Sequence, residues 1–197
     1  MSTQKTTIAA ELITEHHHYS GLMQAEGRRL ADVLADHRLD VLEMHQVTLN
    51  TLGARPIEHR LDKMLIKKSH VLMALPKGAY EAPVRRSNNY QKKGRHNATI
   101  VLAGHVLSCV IYMPKLVKPW ALVDDKSDLP AFFGVTNVTL HSSIDALIPE
   151  KCDTAIICRE AVECMEVSAA ALPEQGKGTP MDAEDVLQAI RELRGAT

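Results

Sequence analysis

The tripeptide Val47-Thr48-Leu49 recurs as Val138-Thr139-Leu140, 91 positions later in a chain of 197 residues. Seventeen residues after each tripeptide the sequence becomes apolar again, as Met64-Leu65-Ile66 in the first half and Ala155-Ile156-Ile157 in the second. Few residues are identical, so the repeat rests on the equal spacing of these runs. The spacing predicts two copies of one strand-rich unit.

The first copy is predicted to combine short strands with one short helix. Leu30, Val33 and Leu34 lie at positions i, i+3 and i+4 of residues 27–36, which is the spacing of a single apolar helical stripe. The first strand-like run, within residues 14–23, is predicted to end near Gly21. Strands are predicted at residues 14–23, 40–50 and 64–75.

The second copy is predicted to open with one long strand, residues 98–113, that bends through Gly104. An insertion around Trp120 follows this run and is predicted to be a loop or short turn. Later strands are predicted at residues 132–140 and 154–167. Strands this short and this closely spaced favour small barrels over a layered α/β fold.

The predicted fold class is therefore mainly β: two tandem small antiparallel β-barrels with a short helix and a C-terminal amphipathic helix. The predicted divisions are a first barrel unit (1–76), a basic linker (77–97), a second barrel unit (98–167), a flexible linker (168–179) and the C-terminal helix (180–197).

Two such five-strand-like units with a short helix resemble tandem small β-barrel domains of the Sm-like or SH3-like kind, including uncharacterised bacterial ones. The resemblance covers residues 12–167 and rests on the strand pattern. In general such barrels act as binding or assembly modules, so it implies a binding or scaffolding role and assigns no functional residue.

The C-terminal segment is predicted to be a docking helix. Thr179 is suited to the N-cap, Pro180 to the first helical position and Gly195 to the end. An isolated helix of about fifteen residues is marginal in water, so its apolar face needs a covering surface on a partner or on the chain itself. The predicted partner-binding residues are Met181, Val186, Leu187, Ile190 and Leu193.

Residues 77–97 carry six basic and one acidic side chain and suggest a second function, binding of RNA or single-stranded DNA. A net charge of −1 for the whole chain argues against a wide positive surface. The residues that this alternative nominates are Arg85, Arg86, Tyr90, Lys92, Lys93 and Arg95.

His16-His17-His18 suggests a third function, metal binding. On a strand His16 and His18 would face the same side, where two imidazoles can chelate a transition metal, with further ligands from His45, His70 or His105. The alternative interpretation is an exposed polar strand.

The four cysteines, at positions 109, 152, 158 and 164, include no Cys-x-x-Cys pair. Cys158 and Cys164 would share one face of a continuous strand, but six residues span roughly 20 Å, too far for one metal ion. Small buried core thiols are the expected state.

Nucleotide-binding, hydrolase and zinc-protease signatures are absent from the sequence, so the expected protein is non-enzymatic and needs no cofactor. It also has no 18-residue apolar stretch, which favours a cytoplasmic protein without a membrane segment. The expected function is a structural or adaptor protein that self-associates or scaffolds a larger protein assembly, because strand-rich units offer sheet edges to partners.

Overall fold

The computed structural model describes residues 6–53, 57–78, 93–114, 117–124, 126–142 and 148–169. Within these ranges the chain forms ten strands, one α-helix and three short 3-10 helices, which confirms the mainly β class. The strands are β1 (Thr7–Ile13), β2 (His17–Gln24), β3 (Val41–Thr51), β4 (Glu58–Lys67), β5 (Met73–Pro76), β6 (Lys93–Leu102), β7 (His105–Pro114), β8 (Phe132–Ser142), β9 (Lys151–Cys158) and β10 (Val162–Ala169).

All ten strands belong to one antiparallel open sheet in the order β10-β6-β7-β8-β9-β5-β1-β2-β3-β4. The first half of the chain, β1 to β5, contributes the order β5-β1-β2-β3-β4. The second half, β6 to β10, contributes β10-β6-β7-β8-β9, which is the same relative order. The halves join where β5 pairs with β9, and β4 and β10 are the two edge strands.

The two halves have matching element positions. β3 and β8 begin and end 91 residues apart, and so do the 3-10 helices Lys68–His70 and Arg159–Ala161. The β2–β3 register shifts after Ser20 and the β7–β8 register shifts after Ser108. At these bulges Gln46 has φ 50° and Asn137 has φ 51°, again 91 residues apart.

Two apolar cores lie along the sheet. One contains the α-helix α1 (Leu30–Ala35) through its buried Leu34, together with Met44 of β3. The other is built mainly from the second half, for example from Leu107. Each core also receives residues across the β5–β9 junction, since Ile156 belongs to the first core and Met73 to the second. The apolar stripe predicted for α1 is confirmed, because Leu30, Val33 and Leu34 are all buried.

The prediction of one strand over residues 64–75 is wrong. β4 ends at Lys67, the 3-10 helix Lys68–His70 turns the chain, and β5 begins at Met73. The amide of Val71 donates to the carbonyl of Lys68 at 3.0 Å, which closes the turn. Apolar residues continue on both sides of this corner, so hydrophobicity alone does not reveal it.

The strand predicted over residues 154–167 is divided in the same way by the 3-10 helix Arg159–Ala161. Cys158 therefore ends β9, while Cys164 lies on β10 at the opposite edge of the second half. The expectation that both cysteines share one face of a continuous strand is wrong.

Two further boundaries differ from the sequence prediction. Residues 98–113 do not form one bent strand, because β6 and β7 make a hairpin with Gly104 in its turn. β2 does not end near Gly21 but runs through it to Gln24. A Cβ at Gly21 would lie 2.8 Å from the His45 carbonyl oxygen, so this glycine permits the close approach of β3 at the bulge.

β6 begins at Lys93, within the segment predicted as a linker, and β10 reaches Ala169, beyond the predicted end of the second unit. The insertion holds a 3-10 helix, Pro119–Leu122, in agreement with the predicted short turn. The predicted C-terminal helix lies outside the described residues.

Candidate protein-interaction site

The junction between the halves is a short, fully buried strand pair. Met73 lies opposite Ile157 and Ala74 opposite Ile156. Each of these four residues is at most 4% exposed. The amide of Cys158 also donates to the carbonyl of Leu72 at 2.9 Å, which extends the pairing beyond β5. Main-chain hydrogen bonds and apolar side chains therefore join the halves together.

β4 is a long edge strand with apolar side chains on its outer surface. Its neighbour in the sheet is β3, and its other side is open in the part of the chain that the structure describes. Leu65 is 62% exposed and Leu61 38% exposed. Unpaired N–H and C=O groups of such a strand can accept a further strand, and exposed leucines favour that pairing.

β10 is the opposite edge strand, and its neighbour is β6. Cys164 and Glu163 are exposed, whereas Met165 is half-buried against the second core. Within the residues that the structure describes, this edge therefore presents polar and apolar side chains beside a backbone whose outer side has no neighbouring strand.

Near the junction, Glu11 is buried together with His18. Lys77 Nζ lies 2.5 Å from Glu11 Oε1, and His18 Nε2 lies 3.5 Å from Glu11 Oε2. Lys77 Nζ also donates to Ser20 Oγ at 3.3 Å. Burial raises the pKa of Glu11, but His18 and Lys77 together outweigh burial and place that pKa below its usual value. The cluster keeps a buried carboxylate ionised beside the junction.

The structure separates the two histidines nominated as metal ligands. His16 precedes β2 in an exposed turn, 3.9 Å from Glu15, rather than standing on the strand as predicted. His18 is buried beside Glu11, and His45 Nε2 contacts Glu43 at 2.8 Å. Across the described ranges, no group of three or more His, Cys, Asp or Glu side chains is placed to hold a metal ion.

All four cysteines are free thiols. Cys109 and Cys158 are buried as expected for core thiols, Cys152 is half-buried and Cys164 is exposed. Burial raises the pKa of Cys109 to about 12, so this thiol is a poor nucleophile at neutral pH.

Only part of the basic stretch lies within the described residues. Lys93 and Arg95 lie at the start of β6, and Arg95 is the cross-strand neighbour of Tyr112, which is 47% exposed. Tyr90 is the ring nominated from the sequence, and Tyr112 is a second ring beside a basic side chain that the sequence did not reveal. Cross-strand neighbours become visible only when the hairpin register is known. Outside the described residues lie Arg85, Arg86, Tyr90, Lys92, Met181, Val186, Leu187, Ile190 and Leu193.

No family model matches this chain, and neither a curated protein nor a solved structure matches it. Among the helices within the described ranges, none has the length and apolar character needed to cross a membrane.

Proposed function

We propose that this chain is a non-enzymatic structural protein that self-associates through the two edges of its sheet. In this proposal the chain is a duplication, and each half is a small β-barrel-like unit. The common strand order, the 91-residue spacing of β3 and β8, and the matching bulges at Gln46 and Asn137 support the duplication. One apolar core centred on each half and the sharp corner after β4 support the barrel-like units.

The observation that carries the proposal is the contrast between Leu65 and Ile156. These residues lie 91 positions apart on β4 and β9, the corresponding strands of the two halves. Ile156 is 4% exposed because β5 and the first core cover it, whereas Leu65 is 62% exposed. The first half therefore displays a surface that the second half buries inside the chain.

Burial of a leucine side chain stabilises an interface by about 1.5–3 kcal/mol when it is complete. Leu65 is already partly covered, so the gain expected at each new contact is about 1–2 kcal/mol, in addition to main-chain hydrogen bonds. A strand added to β4 would satisfy both the backbone and the side chains of this edge.

The test is the solution mass of the full chain, measured by size-exclusion chromatography with light scattering over a range of concentrations. We expect oligomers for the unaltered chain and a shift towards monomer for Leu65→Lys, since a buried, unpaired ammonium group opposes association. Val123→Lys is the matched control, because Val123 is also exposed but follows the 3-10 helix Pro119–Leu122 and belongs to neither edge strand. A monomer at every concentration contradicts the proposal.

A further inference from the structure

We infer that the covering partner is a second copy of this chain, docked head to tail, with its β10 added antiparallel to β4 in the register of the β5–β9 junction. This inference rests on the proposed self-association and specifies its geometry. It makes each contact between copies a repetition of the contact already present within one copy.

The register follows from the junction. Met73 of β5 lies opposite Ile157 of β9, and Ala74 lies opposite Ile156. The residue 91 positions after Met73 is Cys164 of β10, and the residue 91 positions before Ile157 is Ile66 of β4. The same shift relates Ala74 to Met165 and Ile156 to Leu65. In the assembly, Cys164 of one copy therefore faces Ile66 of the next, and Met165 faces Leu65.

The side chains fit this register. Met165 packs on the second core, so its arrival beside Leu65 brings apolar surface onto the most exposed leucine of β4. At the junction within one copy, Met73 and Leu75 of β5 likewise pack into the core of the other half.

Charge complementarity supports the same register at its next position. One residue beyond the Cys164–Ile66 pair, the same register places Glu163 opposite Lys67, and both residues are exposed. Their counterparts at the junction are Leu72 and Cys158, which are joined by a backbone hydrogen bond of 2.9 Å. A main-chain bond from the Lys67 amide to the Glu163 carbonyl of the next copy would repeat this contact. It would also bring side chains of opposite charge to face each other across the strands, which is favourable.

Head-to-tail docking also gives each of the two edge strands, β4 and β10, a partner strand. A two-fold contact between two copies of β4 would leave each β10, with Met165 beside it, at an open edge. Pairing β4 with β10 uses one edge of each kind at every contact and continues the antiparallel sheet from copy to copy. Such a heterologous contact repeats until it closes into a ring or extends as a filament.

Disulfide cross-linking tests the register in the full-length chain. Directly opposed antiparallel residues have Cα atoms about 4.5–5.5 Å apart, within the range that a disulfide spans. We expect Leu65→Cys with Met165→Cys, both in a Cys164→Ser background, to give a ladder of covalent multimers on oxidation. The matched control is Leu61→Cys with Met165→Cys, since four residues of strand move the thiols apart by roughly 13 Å.

The outcomes separate this inference from the proposed function. Multimers in solution without a 65–165 cross-link, or a cross-link formed by Leu65→Cys alone, overturn the head-to-tail register and leave self-association intact. A monomeric chain overturns the proposed function itself. Thermal unfolding of each variant shows whether the cysteine changes leave the fold in place.

Charge reversal provides a second test that does not alter either core, because Lys67 and Glu163 are exposed. Lys67→Glu and Glu163→Lys are each expected to weaken association about two- to fivefold, the range typical of one cross-strand charge pair. The double variant is expected to restore it. Equal weakening in the single and double variants contradicts the pairing of these two residues.

Discussion

Glu11 Oε2 on β1 lies 3.5 Å from His18 Nε2 on β2, and both side chains are almost completely buried. Lys77 completes the cluster by approaching the other carboxylate oxygen of Glu11. A histidine that the sequence suggested as a metal ligand thus lies beside a buried carboxylate near the β5–β9 junction.

This cluster predicts acid sensitivity of the fold. The pKa of Glu11 in the folded chain lies below its ordinary value of 4.5, so the ionised form contributes stability above pH 4.5. That contribution is lost as the pH falls from 4.5 through the folded-state pKa. Glu11→Gln is expected to lower the free energy of unfolding at pH 7 by about 1–3 kcal/mol and to flatten its dependence on pH in that range.

Urea unfolding followed by circular dichroism between pH 3 and 7 measures the effect. Glu58→Gln on β4 serves as the control, since the exposed Glu58 carboxylate forms a surface ion pair with exposed Arg60, at 3.1 Å. Parallel pH profiles for unaltered chain and Glu11→Gln would contradict the prediction.

Gly21→Ala is expected to destabilise the chain by about 1–3 kcal/mol, since the new Cβ would lie 2.8 Å from the His45 backbone oxygen. Gly134→Ala is the matched control, because no heavy atom lies within 4 Å of a Cβ at that position. Gly134→Ala is expected to change the free energy of unfolding by no more than about 0.5 kcal/mol. Thermal melts of the two variants compare them directly, and equal melting temperatures would show that β3 moves away freely.

The thiols are predicted to react in the order of their exposure. Cys164 is expected to be alkylated first, while Cys109 and Cys158 react only on unfolding, because burial raises the pKa of both buried thiols. Mass spectrometry after timed iodoacetamide treatment resolves the order. If β10 lies in the proposed interface, modification of Cys164 slows as protein concentration rises. A rate independent of concentration in a chain that forms oligomers would place β10 outside the contact.

The sequence was sufficient to predict the mainly β class, the helix α1 and the 91-residue spacing of the two halves. These features follow from local periodicity and from the number of residues between similar runs. It did not reveal the corner at Lys68–His70, since apolar residues flank the turn on both sides and both strands contribute to buried cores. It also missed the β5–β9 junction and the exposure of Leu65. Those features depend on which distant strand covers a residue, and Leu65 and Ile156 are both apolar residues in similar runs.

The structural proposal and the nucleic-acid alternative make different predictions for Lys93 and Arg95. If the chain is a structural protein, the Lys93→Glu, Arg95→Glu variant assembles as the unaltered chain does, and protein purified at low salt has a protein-like absorbance ratio at 260 and 280 nm. If the basic segment binds RNA, nucleic acid is retained at low salt and released as salt rises. Retention that this variant reduces would favour the RNA-binding function.

Ile156 and Leu65 occupy corresponding positions but are predicted to contribute to different equilibria. Ile156→Ala removes a buried side chain from the first core and is expected to lower the free energy of unfolding of the monomer by about 2–5 kcal/mol. Leu65→Ala changes an exposed side chain, so its effect on the dilute monomer is expected to stay within about 0.5 kcal/mol. At high concentration Leu65→Ala weakens association instead, because the interface loses its apolar contact. Chemical unfolding at low concentration and light scattering at high concentration separate the two effects, and a large loss of monomer stability in Leu65→Ala would show that the chain itself covers β4.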